Sequence, residues 1–139
     1  MSGLESVAAI IGITDTAFRS IFLLYECFED LKTVPREVQS LKRELGSLQH
    51  CLTQLKYLST KDEKALSVIK GFGLQETLEN CAEACEPLRA ITEKWSTSVT
   101  QEWRLRLQFV VNKKEIQRAR DNVSSAKQTT ILAVVITQL

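Results

Sequence analysis

Seven apolar residues, Val34, Val38, Leu41, Leu45, Leu48, Leu52 and Leu55, follow one another at steps of 4-3-4-3-4-3. A β-strand cannot bury such a set, because its side chains alternate with a period of two. A helix brings residues three and four apart onto one stripe. Arg36, Lys42, Arg43 and Lys56 fall off that stripe, on the solvated side. Pro35 opens the helix at a position where its missing N–H costs nothing. The spacing therefore predicts a helix over about 35–58 with a leucine edge that must be covered. Three heptads in a chain this short point to an intramolecular antiparallel hairpin rather than a dimeric coiled coil.

The rest of the chain supplies the cover. Leu4, Val7, Ala8, Ile11, Phe18, Ile21, Phe22, Tyr25 and Phe28 mark a first helix over about 4–29. Ile10, Ile13, Ala17 and Leu24 spread its apolar surface well beyond one stripe, as expected of a helix that is buried or meets lipid or a partner. Asp15 and Arg19 interrupt the run from Val7 to Leu24, which argues against a resident transmembrane span. Thr60-Lys61-Asp62-Glu63 reads as a capping box for a short helix over about 61–70. Gly71-Phe72-Gly73 ends that helix, and Gly71 and Gly73 are the hinge candidates.

Leu74, Leu78, Cys81, Cys85, Leu88, Ile91 and Trp95 define a third long helix over about 74–95, with a kink expected at Pro87. Ser98 and Gln101 can cap a last helix over about 99–139, bent near Asn112. Trp103, Leu107, Val110 and Val111 supply its first apolar face. Ile116, Ala119, Val123, Ala126, Ile131, Val134 and Val135 continue the apolar side to the end. With 139 residues, five glycines and two prolines, the chain reads as one all-α domain: a four- to five-helix up-down bundle with a short extra helix in the 59–73 connection.

Eighteen Lys and Arg against seventeen Asp and Glu leave a net charge of +1, which argues against a nucleic-acid binder. The charge is unevenly spread. Residues 1–30 hold one basic and five acidic side chains, whereas residues 96–139 hold seven basic and three acidic. Lys113, Lys114, Arg118, Arg120 and Lys127 make a basic stretch ahead of an apolar tail, readable as a solvated helix face or as a contact for anionic headgroups.

Little in the chain suggests catalysis or metal binding. Cys81 and Cys85 are one helical turn apart, but both fall on the apolar stripe, where cysteine packs as a small hydrophobe. His50 and Cys51 are adjacent, so on a helix they point about 100° apart and form no nucleophile–base pair. Glu76, Glu79, Glu83 and Glu86 form an acidic row that reads as a solvated face. The opening residues lack the basic start of a secretory signal, so the four cysteines are expected as free thiols in a reducing cytoplasm. No enzyme, no cofactor and no metal are expected.

Several of these segments resemble one family. Leu4-Glu5-Ser6-Val7-Ala8-Ala9-Ile10-Ile11-Gly12-Ile13 is similar to the small-residue, apolar start of fungal HeLo-like N-terminal domains, which head STAND (NLR-like) immune receptors. Val34-Pro35-Arg36-Glu37-Val38-Gln39-Ser40-Leu41-Lys42-Arg43-Glu44-Leu45-Gly46-Ser47-Leu48 resembles that family's Pro-x-Glu-hydrophobic-x-x-Leu-x-x-Glu-Leu-x-x-Leu block. Leu78-Glu79-Asn80-Cys81 and Lys113-Lys114-Glu115-Ile116, followed by Lys127 and Ile131, extend the likeness over essentially the whole chain.

The resemblance implies an effector domain followed, in the full protein, by nucleotide-binding and repeat domains. It also implies a cytoplasmic protein recruited to the plasma membrane on activation, where homo-oligomers release the N-terminal helix into anionic lipid and cause regulated cell death. On that reading Leu4, Val7, Ile10, Ile11, Ile13 and Phe18 contact lipid or partner copies, and the basic late residues hold headgroups. Glu5, Asp15 and Arg19 would face a shared polar lumen. The alternative is an adaptor bundle that self-associates or recruits protein partners and never touches lipid.

Overall fold

The computed structural model describes residues 17–31, 34–61, 73–95 and 102–139, with the single positions 67 and 71. These residues are helical with short turns, and no strand occurs among them. Helix α1 covers residues 17–29 of the described chain, α2 is Arg36–Lys61, α3 is Leu74–Trp95, α4 is Glu102–Val111 and α5 is Lys113–Gln138. The expected all-α bundle is what the chain forms. Thr60 and Lys61, expected to open a short helix over 61–70, instead belong to α2, which runs past its expected end at 58; Ser67 is helical, and the other residues of that helix and the Ser98–Gln101 cap lie outside the described residues.

The leucine edge of α2 behaves as its spacing requires. Val38, Leu41, Leu45, Leu48, Leu52 and Leu55 are all sealed, each adding on the order of 1.5–3 kcal/mol over an exposed position. Pro35 is buried just outside the helix and its carbonyl accepts from the Val38 N–H at 3.0 Å. In α3, Leu74, Leu78, Cys81, Cys85 and Leu88 are buried and the helix runs through Pro87. Thr92 takes the next inward position, its hydroxyl donating to the Leu88 carbonyl at 2.7 Å.

The long segments alternate in direction. Glu29 of α1 reaches Lys42 of α2 at 3.5 Å, and Tyr25 packs over Gly46, so these two helices run antiparallel. Gly46 is the point of close approach: a Cβ there would come within 3.3 Å of the Tyr25 ring. Cys27 lies in the field of Arg89 and Glu93, which places the end of α1 beside the end of α3. Helix α5 lies along both α2 and α3, which scarcely touch one another. Lys127 of α5 meets Glu44 of α2 at 3.3 Å.

The 99–139 stretch is two helices divided at Asn112. The Asn112 N–H donates to Gln108, its side chain also donates to the Gln108 carbonyl at 2.7 Å, and its own carbonyl receives the Ile116 N–H. One residue thus closes α4 and starts α5. The apolar face expected of α4 is corrected here. Leu107, Val110 and Val111 are exposed and Phe109 is buried, while the side chain of Trp103 lies outside the described residues. Phe109 meets Phe28 of α1 edge to face, ring centroids 6.2 Å apart, and Leu107 and Val111, two residues to either side, fall on the opposite side of the helix.

The expected apolar side of α5 holds from Ile116 through Ala126 and then departs. The inward positions beyond it are Thr130, Ala133, Val134 and Thr137, while Ile131 and Val135 stand outside. Both threonine hydroxyls donate to the carbonyl four residues earlier, at 2.6 and 2.7 Å, so neither is left unpaired in the core.

Candidate functional site

Leu4, Val7, Ile10, Ile11 and Ile13 lie outside the described residues. Of the first-helix set only Phe18 can be placed: it is half-buried and stacked with Phe22 at 6.4 Å, the rings 9° from parallel. The described part of α1 is gripped along one edge. Ala17, Ile21, Leu24 and Phe28 are sealed, whereas Phe18, Phe22 and Tyr25 are half-buried, and Arg19, Leu23 and Glu26 are exposed.

The basic stretch divides on its surroundings. Lys127 is half-buried and committed to Glu44 across the α2–α5 seam. Lys113, Lys114, Arg118 and Arg120 are exposed, and among the described residues none of them forms an ion pair. Two of them occupy the first turn of α5, where the helix dipole opposes positive charge. Arg120 also lines an open cleft with Ser40, Glu44, Gln117, Asp121 and Ser124, and Asp121 is held by the Gln117 amide at 2.8 Å. The start of α5 is therefore mainly basic, with the half-buried Glu115 in its first turn and the exposed Asp121 further along.

Sequence reasoning missed the outward trio of α4. Leu107 is 50% exposed, Val110 38% and Val111 72%. The signal that could have found them is the apolar Phe109 beside them, since a short helix apolar on opposite sides cannot bury both. Leu107 and Val111 are four apart on α4, and Lys114 and Arg118 are four apart on α5, so each helix carries an exposed pair on one face, apolar before the Asn112 turn and basic after it.

Other candidates are structural. Cys81 and Cys85 are in the core. The hydrogen bond with Cys85, then burial, pushes the Cys81 thiol far up, which disfavours the thiolate that a metal or a nucleophile needs. Burial also raises the Cys27 and Cys51 thiols. No disulfide joins the four cysteines, and His50 is exposed. Among the described residues no group of three or more His, Cys, Asp or Glu side chains could hold a metal.

Glu76, Glu79, Glu83 and Glu86 are exposed. Glu86 pairs with Arg89, which also binds Glu93 at 2.9 Å; the Arg89 hydrogen bond holds the Glu86 carboxyl below its ordinary range. At the hinge candidate Gly73 φ is +63, and its carbonyl accepts from both the Thr77 N–H and hydroxyl at 3.1 Å. A side chain there would be strained. No helix among the described residues is long and apolar enough to cross a membrane.

A family model described as pigment biosynthesis cluster protein PigL N-terminal matches residues 2–139. No curated protein and no solved structure matches the chain.

Proposed function

The chain belongs to the PigL N-terminal family, a fungal N-terminal domain family, and on that premise we propose that it is the effector domain of an NLR-like receptor. Gathered by oligomerisation of the receptor, several copies release the N-terminal helix into an anionic bilayer and permeabilise it. The kinship with HeLo-like domains, the cytoplasmic resting state, the plasma-membrane destination and the cell-death outcome belong to this proposal.

One observation carries it: the described part of α1 is attached by a single edge, Ala17, Ile21, Leu24 and Phe28, while its other apolar residues remain partly open. A helix held this way can be exchanged between the bundle and another apolar environment. A marginal contact made by one copy becomes strong when several copies are clustered. Glu substitutions at Ile10 and Ile11 together are expected to abolish dye leakage from anionic vesicles while circular dichroism stays helical. Leakage that survives in the folded double variant would refute α1 as the inserting element.

The adaptor reading has its own support. Ile131, Leu132 and Val135 are 41–49% exposed on the second half of α5, a helical stripe suited to a partner helix. On that reading Ile131→Glu with Val135→Glu should abolish self-association or partner recruitment, and the wild type should cause no vesicle leakage.

A further inference from the structure

The α4–α5 corner combines three features that nothing in the bundle's own stability explains. Its apolar trio, Leu107, Val110 and Val111, faces solvent although α4 already has a core residue in Phe109. Lys113, Lys114 and Arg118 follow within two turns, exposed and without ion pairs among the described residues. Asn112 is the single residue between α4 and α5, so the apolar trio and the cations lie within about three turns of one another along the chain. Residues 102–120 carry six basic and two acidic side chains, in a chain that is nearly neutral overall.

We propose that this corner is the site at which the folded bundle first docks on an anionic lipid surface, with Leu107, Val110 and Val111 entering the acyl boundary and Lys113, Lys114 and Arg118 holding headgroups. The proposal rests on the membrane reading above and adds a contact distinct from the N-terminal helix.

The order of residues fits the order of layers in a bilayer interface, apolar at the leading edge and cationic one turn behind it. A protein partner would have to match the same exposed trio while offering acidic groups beside it. A lipid surface supplies both without shape complementarity. Lys127, already engaged by Glu44, is not part of this contact, and Arg120 lies beside Glu44 and Asp121 around their shared cleft. The Phe28–Phe109 pair joins the docking helix to α1, so the corner sits at the end of the bundle where α1 finishes.

The test is flotation of the 139-residue chain with vesicles of phosphatidylcholine mixed with phosphatidylserine, beside phosphatidylcholine alone. Wild type should float with the anionic vesicles only, and Leu107→Glu with Val111→Glu should lower that binding by about tenfold or more, given the apolar area withdrawn. Lys113→Glu with Lys114→Glu should do the same and also weaken the salt dependence. Ile131→Glu with Val135→Glu, on the other half of α5, should float as wild type does. Val111→Trp should raise binding, which keeps the proposal open to refutation even if the Glu pair disturbs folding.

Corner variants that float like wild type would overturn the proposal, as would a wild type that does not float. Sedimentation showing a wild-type dimer dispersed by Val111→Glu would overturn it in favour of a second copy. The two membrane readings fail separately. Ile10→Glu with Ile11→Glu is expected to keep flotation and lose leakage, whereas the corner variants lose flotation first.

Discussion

In α2 every residue of the leucine edge from Val38 to Leu55 is sealed, whereas in α4 and the second half of α5 Leu107, Val111, Ile131, Leu132 and Val135 stand outside while Phe109, Thr130, Ala133 and Thr137 point inward. The two regions differ in what their outer faces hold. Arg36, Arg43 and Lys56 oppose the α2 seam, so only one orientation avoids burying charge. Helix α4 is apolar on opposite sides, so hydrophobicity does not choose between them. Phe109 is chosen because it meets Phe28 edge-on in a closed site. In α5 the small Ala and Thr residues face the neighbouring helices, and small contact residues allow close interaxial approach. Larger apolar residues left outside by such a choice mark a surface with another use.

The contrast can be broken most sharply at two residues of α4. Phe109→Ala is expected to lose about 3–5 kcal/mol in urea unfolding, whereas Val111→Ala should stay within about 0.5 kcal/mol. A loss at Val111 with Phe109 silent would mean that α4 is turned the other way.

Helix α5 offers a test of size against polarity. Thr130→Leu should overpack the contact and lose about 1–3 kcal/mol, although it makes the inward face greasier. Thr130→Val keeps the volume and should remain within about 1 kcal/mol, since the hydroxyl bonds only its own helix. If Leu were tolerated and Val were not, packing would not be what selects the inward residues.

The ionic contacts come last in size. Lys127→Met should lower stability by less than about 1 kcal/mol, and the difference should shrink in high salt. A larger and salt-insensitive loss would make the Lys127–Glu44 pair a structural pin. At Glu29 the Tyr25 hydrogen bond, followed by Lys42, holds the carboxyl below its ordinary 4.5. The folded state therefore gains from the ionised form above that range, and the gain is lost as pH falls through the lowered value. Stability should decline slightly on the acid side, and Glu29→Gln should flatten that decline in urea midpoints measured across pH.

Much of the bundle was legible before any coordinates. The edges of α2 and α3 were readable because leucines and cysteines recur at helical steps against a polar background, and Asn112 stood between two apolar stretches as a break. The candidate site was less legible. Lys113, Lys114 and Lys127 look alike in the sequence, and only the approach of α2 separates them, by bringing Glu44 to Lys127 and to neither of the others. Leu107, Val110 and Val111 resemble any other core-facing trio until Phe109 is seen to occupy the core.

Local periodicity, a property of neighbouring residues along one chain segment, was sufficient to establish helices, their approximate limits and the strongly polarised faces. Which side of a weakly polarised helix turns inward depends on shapes contributed by residues far away in the chain. Phe28 lies 81 positions before Phe109, and no spacing rule within α4 contains it. Packing settled that choice, and in doing so it decided which apolar and basic residues were left on the surface to meet something else.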